Sequence, residues 1–254
     1  MNDVINLLLS RRSVRNYRPE QIQKEDLDLI LQTALYAPNG GNHQVPRFIV
    51  IQDKHVVLQL KTLARQRLAV REVIPGQYQN KSIIQAKNDE NYDCTKGAPT
   101  VVLVVAPAAH GNSMADCANA IQNMQIAATS MNLGACWINQ PHWLTDDSDF
   151  RAFAEGLGMK REENIFGGVI FGYPSKPPDP PTPRKEGRIV FIQWPLLTES
   201  AGRSVRFIQY GRDVHVLSKS HDCHNDPRIN GNDAQQTTDL KNRGNQGIGP
   251  HFFR

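Results

Sequence analysis

Arg11-Arg12-Ser13-Val14-Arg15-Asn16-Tyr17-Arg18-Pro19 sets four guanidiniums within eight residues, directly after the short apolar run Val4-Ile5-Asn6-Leu7-Leu8-Leu9. Asp3 can cap and begin a helix over that run, so the arginines mark a helix end or a turn. Charge of this density in isolation reads as a solvated surface turn. The pattern also has a chemical use, because planar guanidiniums flanking a hydroxyl present parallel charge-assisted donors to phosphate oxygens. Arg11, Arg12, Ser13 and Arg15 are therefore the candidate phosphate ligands.

Downstream, Leu27, Ile30, Leu31, Ala34 and Leu35 recur at helical spacing until Pro38, which disfavours a helix continuing through Ala37. The loop Pro38-Asn39-Gly40-Gly41-Asn42-His43-Gln44 follows. Its paired glycines permit close approach of backbone to a ligand, and its amides carry both donors and acceptors, although Asn-Gly-Gly-Asn by itself reads as a turn.

The β-branched runs Arg47–Ile51 and Pro99–Val105 predict strands, with a helix near Lys54 to Leu68 and a polar stretch to Gly97 between them. A long apolar helix is expected from about Ala115 to Asn132, ending where Gly134 can supply a left-handed cap. Ala135–Ile138, Gly168–Gly172 and Arg188–Gln193 predict three more strands, with a small helix around Asp147 to Leu157. Helices alternating with strands imply an α/β layer architecture.

Pro174 to Pro183 should form a stiff, extended strap. After Trp194 the apolar periodicity fades, which puts a domain boundary near Pro195: a folded domain over 1–194 and a polar, poorly ordered extension over 195–254, with a weak strand or two between Val205 and Leu217. The adjacent ligands His221-Asp222-Cys223-His224 lack a second cluster to close a tetrahedral site, so no metal is expected.

Bulk properties exclude several classes. A net charge of +4 with acids interspersed argues against a nucleic-acid surface, and no apolar stretch is long enough to span a bilayer. Four cysteines without framework spacing fit reduced thiols, so a cytoplasmic protein is expected. Neither Gly-x-Gly-x-x-Gly nor Gly-x-x-x-x-Gly-Lys-[Ser/Thr] occurs, which disfavours a Rossmann or P-loop nucleotide fold.

Three patches together resemble the nitroreductase-like, FMN-dependent oxidoreductases over about Val4 to Trp194. Arg11 to Pro19 is similar to that family's phosphate clamp. Ala37-Pro38-Asn39-Gly40-Gly41-Asn42-His43-Gln44-Val45-Pro46 is similar to its Ala-Pro-Ser-x-x-Asn-x-Gln-Pro-Trp loop. The third patch joins Asn123–Ala128, Leu133–Ile138 and Pro183–Arg188.

The resemblance implies a three-layer α/β (α+β type) sandwich with a central mixed, largely antiparallel sheet flanked by helices, working as a homodimer. It implies that Pro38, Asn39, Asn42 and Gln44 line a flavin, that Trp137 and Ile138 lie near the ring, and that Arg184 and Lys185 return to the phosphate. Read alone, a buried tryptophan is packing and the two late cations are a charged strand flank. Two departures stand out: Asn39 replaces serine, and Val45-Pro46-Arg47 replaces Gln-Pro-Trp, so an aromatic cover is lost and a cation gained.

The implied chemistry is bound FMN, NADH or NADPH as a transient co-substrate, and ping-pong reduction of a small acceptor of the nitroaromatic, quinone or enone class. No catalytic side chain is assigned, since the chemistry belongs to flavin N5. The alternative is a non-catalytic flavin-binding or flavin-storage protein, which the same clamp would serve.

Overall fold

A computed structural model describes residues 2–190 and the backbone of 205–210 and 213–218. Two compact units divide the chain, 1–184 and 185–254. The boundary expected near Pro195 lies outside the described residues, as do most of the polar extension and the His221–His224 cluster.

The first unit holds seven α-helices among its described residues: α1 Asp3–Ser10, α2 Lys24–Leu35, α3 Lys54–Ala69, α4 Asn80–Asn88, α5 Ser113–Ser130, α6 Gln140–Trp143 and α7 Ser148–Gly156. Four strands, β1 Arg47–Ile51, β2 Thr100–Pro107, β3 Gly134–Ile138 and β4 Glu163–Gly172, form one sheet in the order β1-β2-β4-β3. Every neighbouring pair is antiparallel.

Central strand β2 shows why the sheet is covered on both sides. Its side chains alternate between faces. Val101, Leu103 and Val105 pack with Leu60 and Leu68 of α3, Ile83 of α4 and Phe150 of α7. Val102, Val104 and Ala106 pack with Ile30 of α2 and Ile121 and Met124 of α5. Two helical layers thus enclose the sheet, which is the three-layer sandwich that the resemblance implies. A register shift between Val104 and Val105 leaves Phe166 of β4 unpaired and breaks the regular pairing of β2 with β4.

Local chemistry refines several boundaries. Asn2 rather than Asp3 caps α1, accepting from the Val4 amide at 2.8 Å. Asn132 rather than Gly134 supplies the left-handed residue after α5, at φ 57°. Asn132 donates to the Thr129 carbonyl and Leu133 to the Ala128 carbonyl, the paired bonds of a Schellman motif. Gly134 instead begins β3 and is required for space: a Cβ there would stand 2.8 Å from Val14 Cγ1 and 3.0 Å from Tyr17 Cε1.

Helix α4 occupies part of the stretch expected to be merely polar. Only Ile83 and Ala86 of it are buried, too few apolar anchors to print a helical period. Residues 188–190 form no strand, and the rest of the segment expected as an edge strand lies outside the described residues. The strap over 174–183 contains no helix, and its Pro174 bridges Tyr17. In the second unit Val205–Tyr210 and Asp213–Ser218 pair as antiparallel strands β5 and β6, where a weak strand or two was expected. No helix among the described residues is long and apolar enough to cross a membrane.

Candidate functional site

The arginine-rich segment runs beside the sheet and is held there by isolated bridges, Ser13 to Ala135 and Tyr17 to Pro174. Val14 N–H donates to the Ala135 carbonyl at 3.0 Å and Arg18 N–H to the Tyr173 carbonyl at 2.9 Å. Tyr17 fills the seam. Its ring lies against Gly134 and Gly172, which face each other in the β3–β4 register, and its hydroxyl donates to the Val14 carbonyl at 2.7 Å. Burial raises the Tyr17 phenol far above its ordinary range, so it remains a neutral donor.

An extended segment sends successive side chains to opposite sides. Arg11, Ser13 and Arg15 gather about Cys136 on β3. Burial pushes the Cys136 thiol up, while Arg15, a hydrogen bond from Ser13, and Arg11 pull it down. Arg12 turns the other way and donates to the carbonyls of Arg11 at 2.6 Å and Leu9 at 3.3 Å, serving the C-terminal end of α1.

Arg15 and Cys136 open onto a cavity of about 400 Å³, walled also by Trp137, Ile138, Gln140 and the loop before β2. Larger clefts of about 530 and 570 Å³ exist elsewhere. The smaller one is the better candidate, because it gathers Arg15, Trp137 and Ile138 with groups that lack partners. Arg11 Nη1, Trp137 Nε1 and Gln140 Oε1 are buried without a hydrogen-bond partner among the described residues. Buried polar atoms are rarely left so. Gln140 lines this cavity, Arg11 stands near Cys136 at its edge, and the Trp137 ring turns to the α5 face, where it packs by Ile121 and Gly167.

Sequence reading missed part of this wall. Lys81 and Gln85 lie one turn apart on α4, and Tyr92, Cys94 and Lys96 come from the loop that leads to β2. Gln140 Nε2 donates to the Tyr92 hydroxyl at 2.7 Å and the Ser82 hydroxyl at 3.3 Å, which ties α4 to α6. Lys96 stands 5.2 Å from the Tyr92 ring centre and has a left-handed backbone, φ 56°. Arg15, Lys81 and Lys96 make the wall cationic, and no carboxylate is among its described lining. Only the i,i+4 pair Lys81/Gln85 could have signalled this face in advance.

The Pro38–Gln44 loop lies elsewhere. Asn119 on α5 donates to the Pro38 carbonyl at 2.9 Å, Gly40 N–H donates to the buried Asp116 carboxylate at 3.0 Å, and His43 and His110 share a hydrogen bond of 3.1 Å. Inside the loop the Asn39 side chain accepts from Gln44 N–H, and Gln44 donates to Asn42. Gly41, Asn42 and Gln44 adopt left-handed backbone at φ 59°, 54° and 51°. Such a run of unfavourable backbone persists only where its surroundings impose it. Arg184 and Lys185 are exposed.

Arg47, the cation gained beside this loop, is paired. Its guanidinium reaches both oxygens of Glu163, at 2.6 and 2.8 Å, and that carboxylate is 3% exposed. Arg47 therefore joins β1 to the start of β4.

Comparison with known proteins agrees with this fold. A nitroreductase with bound FMN from Bacteroides fragilis is 30% identical, with a TM-score of 0.70 over 76% of this chain and 100% of that one. A nitroreductase with bound FMN from Desulfitobacterium hafniense shares the fold at a TM-score of 0.66 and 22% identity, over 76% of this chain and 100% of that one. An FMN reductase (NADPH) from Bacillus subtilis is 25% identical over 144 residues, 54% of this chain and 54% of the reductase, so the chain spans about half the length of that relative. With residues 8–173 matching the family as a whole, the chain belongs to the nitroreductase family.

Proposed function

We propose that this chain binds FMN in the 400 Å³ cavity and uses NADH or NADPH to reduce a small oxidised acceptor of the nitroaromatic, quinone or enone class. The observation that carries this reading is a cationic cavity lined by Arg15, Lys81 and Lys96, with Gln140 Oε1 unpartnered in its wall and with Arg11 and Ser13 gathered about Cys136 at its edge, the Arg11 Nη1 likewise unpartnered. That donor set fits a planar polar ring with an anionic tail.

FMN, when bound, supplies hydride acceptance from nicotinamide and reduction of the second substrate. The chain's own residues do the rest. Arg11, Ser13 and Arg15 hold the phosphate end, Trp137 and Ile138 wall the ring site, and Lys81 and Lys96 provide fixed positive charge where negative charge develops. Arg184 and Lys185 are further phosphate ligands by family resemblance.

A homodimer completes the site. The Pro38–Gln44 loop is tied to the N-terminal half of α5, whereas the arginine segment is tied to β3 beyond its C-terminal end. From Asn119 to Met131 the helix climbs roughly 18 Å at about 1.5 Å per residue, so one chain holds the two patches well apart. A second copy with its α5 reversed would bring the loop of one subunit to the clamp of the other. Helix α1 supplies a matching surface: it has no buried residue, yet Val4 is 61% and Leu9 60% exposed.

Purified protein should release FMN on denaturation, and stopped-flow mixing should show NADH or NADPH bleaching the bound flavin and a quinone restoring it. Bleaching by neither nicotinamide would replace this reading with flavin storage. Sedimentation of the FMN-loaded protein at low micromolar concentration should give twice the chain mass, and a mass near one chain would remove the shared site.

A further inference from the structure

On the opposite side of the arginine segment lies a cleft of about 530 Å³ that the flavin reading does not use. Arg12, Arg18 and Lys176 line it, with Thr129 and Asn132 at the end of α5 and Ser175 at the start of the strap. No carboxylate is among its described lining, and neither Arg18 nor Lys176 forms an ion pair among the described residues.

The Arg12 guanidinium is immobilised by the carbonyls of Leu9 and Arg11 while its Nε is buried without a partner. Part of this charge has a structural use, because the C-terminal ends of α1 and α5 point here and each carries roughly −0.5 of an elementary charge. Three cations against about −1 leave about +2, which no described group neutralises. Two of the three hydroxyl protons are already committed: Ser10 donates to Leu7 and Thr129 to Gln125. The donors left free are the cations, the Asn132 amide and the Ser175 hydroxyl.

We infer that this cleft is a second anion site, separate from the flavin clamp, and that it takes a phosphate dianion, either free or as the phosphoryl group of a larger molecule. The Arg18 fork would bind its oxygens by charge-assisted hydrogen bonds beside the fixed positive charge of Arg12, with Lys176 as a mobile third cation. The volume exceeds what one phosphate needs and accommodates an attached sugar or similar group.

Protein saturated with FMN, so that the Arg11–Arg15 clamp is occupied, is titrated calorimetrically with inorganic phosphate and separately with ribose 5-phosphate. One further site per chain is expected. The exposed pair Arg18→Gln and Lys176→Gln together should weaken it about tenfold or more and leave FMN affinity unchanged. Tighter binding of the sugar phosphate would identify a phosphorylated molecule as the ligand, and equal affinity would identify free phosphate; either supports the site. Failure of both probes at millimolar concentration, or wild-type binding by the double variant, overturns it. Should the protein take up no FMN, the same comparison is made without flavin in an Arg11→Gln background, so the proposed function and this site fail separately.

Discussion

The two sides of the segment from Arg11 to Arg18 are built from the same residue types and differ in everything else. On one side Arg11, Ser13 and Arg15 gather about Cys136, and Arg15 and Cys136 line a cavity with no helix end to serve. On the other, Arg12 lines the second cleft, spends two donors on the carbonyls that finish α1, and keeps its Nε buried without a partner. The proposed clamp therefore takes Arg11 and Arg15 and leaves Arg12 and Arg18 to the other side. Alternation along an extended backbone sorts them, and the bond from Val14 to Ala135 sets the phase.

The sharpest way to break this distinction is to remove its members one at a time. Arg11→Ala and Arg15→Ala should each weaken FMN binding roughly ten- to hundredfold, the loss of about 1.5–3 kcal/mol typical of a hydrogen bond to a charged group. Arg12→Ala should change FMN affinity less than about threefold while lowering stability by about 1 kcal/mol through lost carbonyl partners. Quenching of flavin fluorescence and urea unfolding read the two quantities, and equal FMN losses in all three variants would erase the two-sided picture.

A smaller effect is expected where the segment meets the sheet. Gly134→Ala inserts a methyl 2.8 Å from Val14 Cγ1, and overpacking of this kind costs about 1–3 kcal/mol. FMN affinity should fall with it, because both faces of the segment share that anchor. Gly156→Ala, with nothing within 4 Å of the added carbon, serves as the comparison and should leave FMN affinity unaltered. Loss of stability in Gly134→Ala without loss of affinity would show that the clamp does not depend on this seam.

Alkaline pH probes the buried core more gently. Burial pushes the Cys94 and Cys117 thiols up to about 12 and raises Cys136 and the Tyr17 phenol as well. A group whose native pKa exceeds its unfolded value stabilises fully below the unfolded value and ceases to do so as pH rises through the native one. For the thiols that window opens near about pH 8.5, so urea stability should be level below it and decline increasingly above about pH 9. Cys94→Ala should make the decline shallower. A stability profile flat to about pH 11 would show that these groups ionise as freely in the native state as in the unfolded chain.

The least effect is expected at the far end of the chain. Ending it after Trp194 keeps Arg184 and Lys185 and should leave FMN affinity within about a factor of two, since a polar extension poor in core formers offers little to a flavin site. Equilibrium dialysis of the shortened, folded protein decides this, and a larger loss would assign part of the site to residues 195–254.

Sequence alone determined most of the elements and the family, because those rest on local pattern. The β-branched runs became β1 and β2, Pro38 lies beyond the end of α2, and the apolar stretch after Asn112 became α5. Where local signals competed, tertiary structure decided. Gly134 carried a helix-cap signal, yet Asn132 tolerates the left-handed backbone and Val14 and Tyr17 need the space that Gly134 leaves. Helix α4 was hidden because its partners Ile83 and Ala86 are too few to mark a period, although the cavity wall depends on Lys81 and Gln85 beside them. The gained cation at Arg47 was legible as a residue but not as a bond, since Glu163 lies 116 positions away in the chain. Which arginine serves a ligand and which a helix end is likewise a property of the side each one faces. Residue type provides the charge; only the packed backbone gives it a direction.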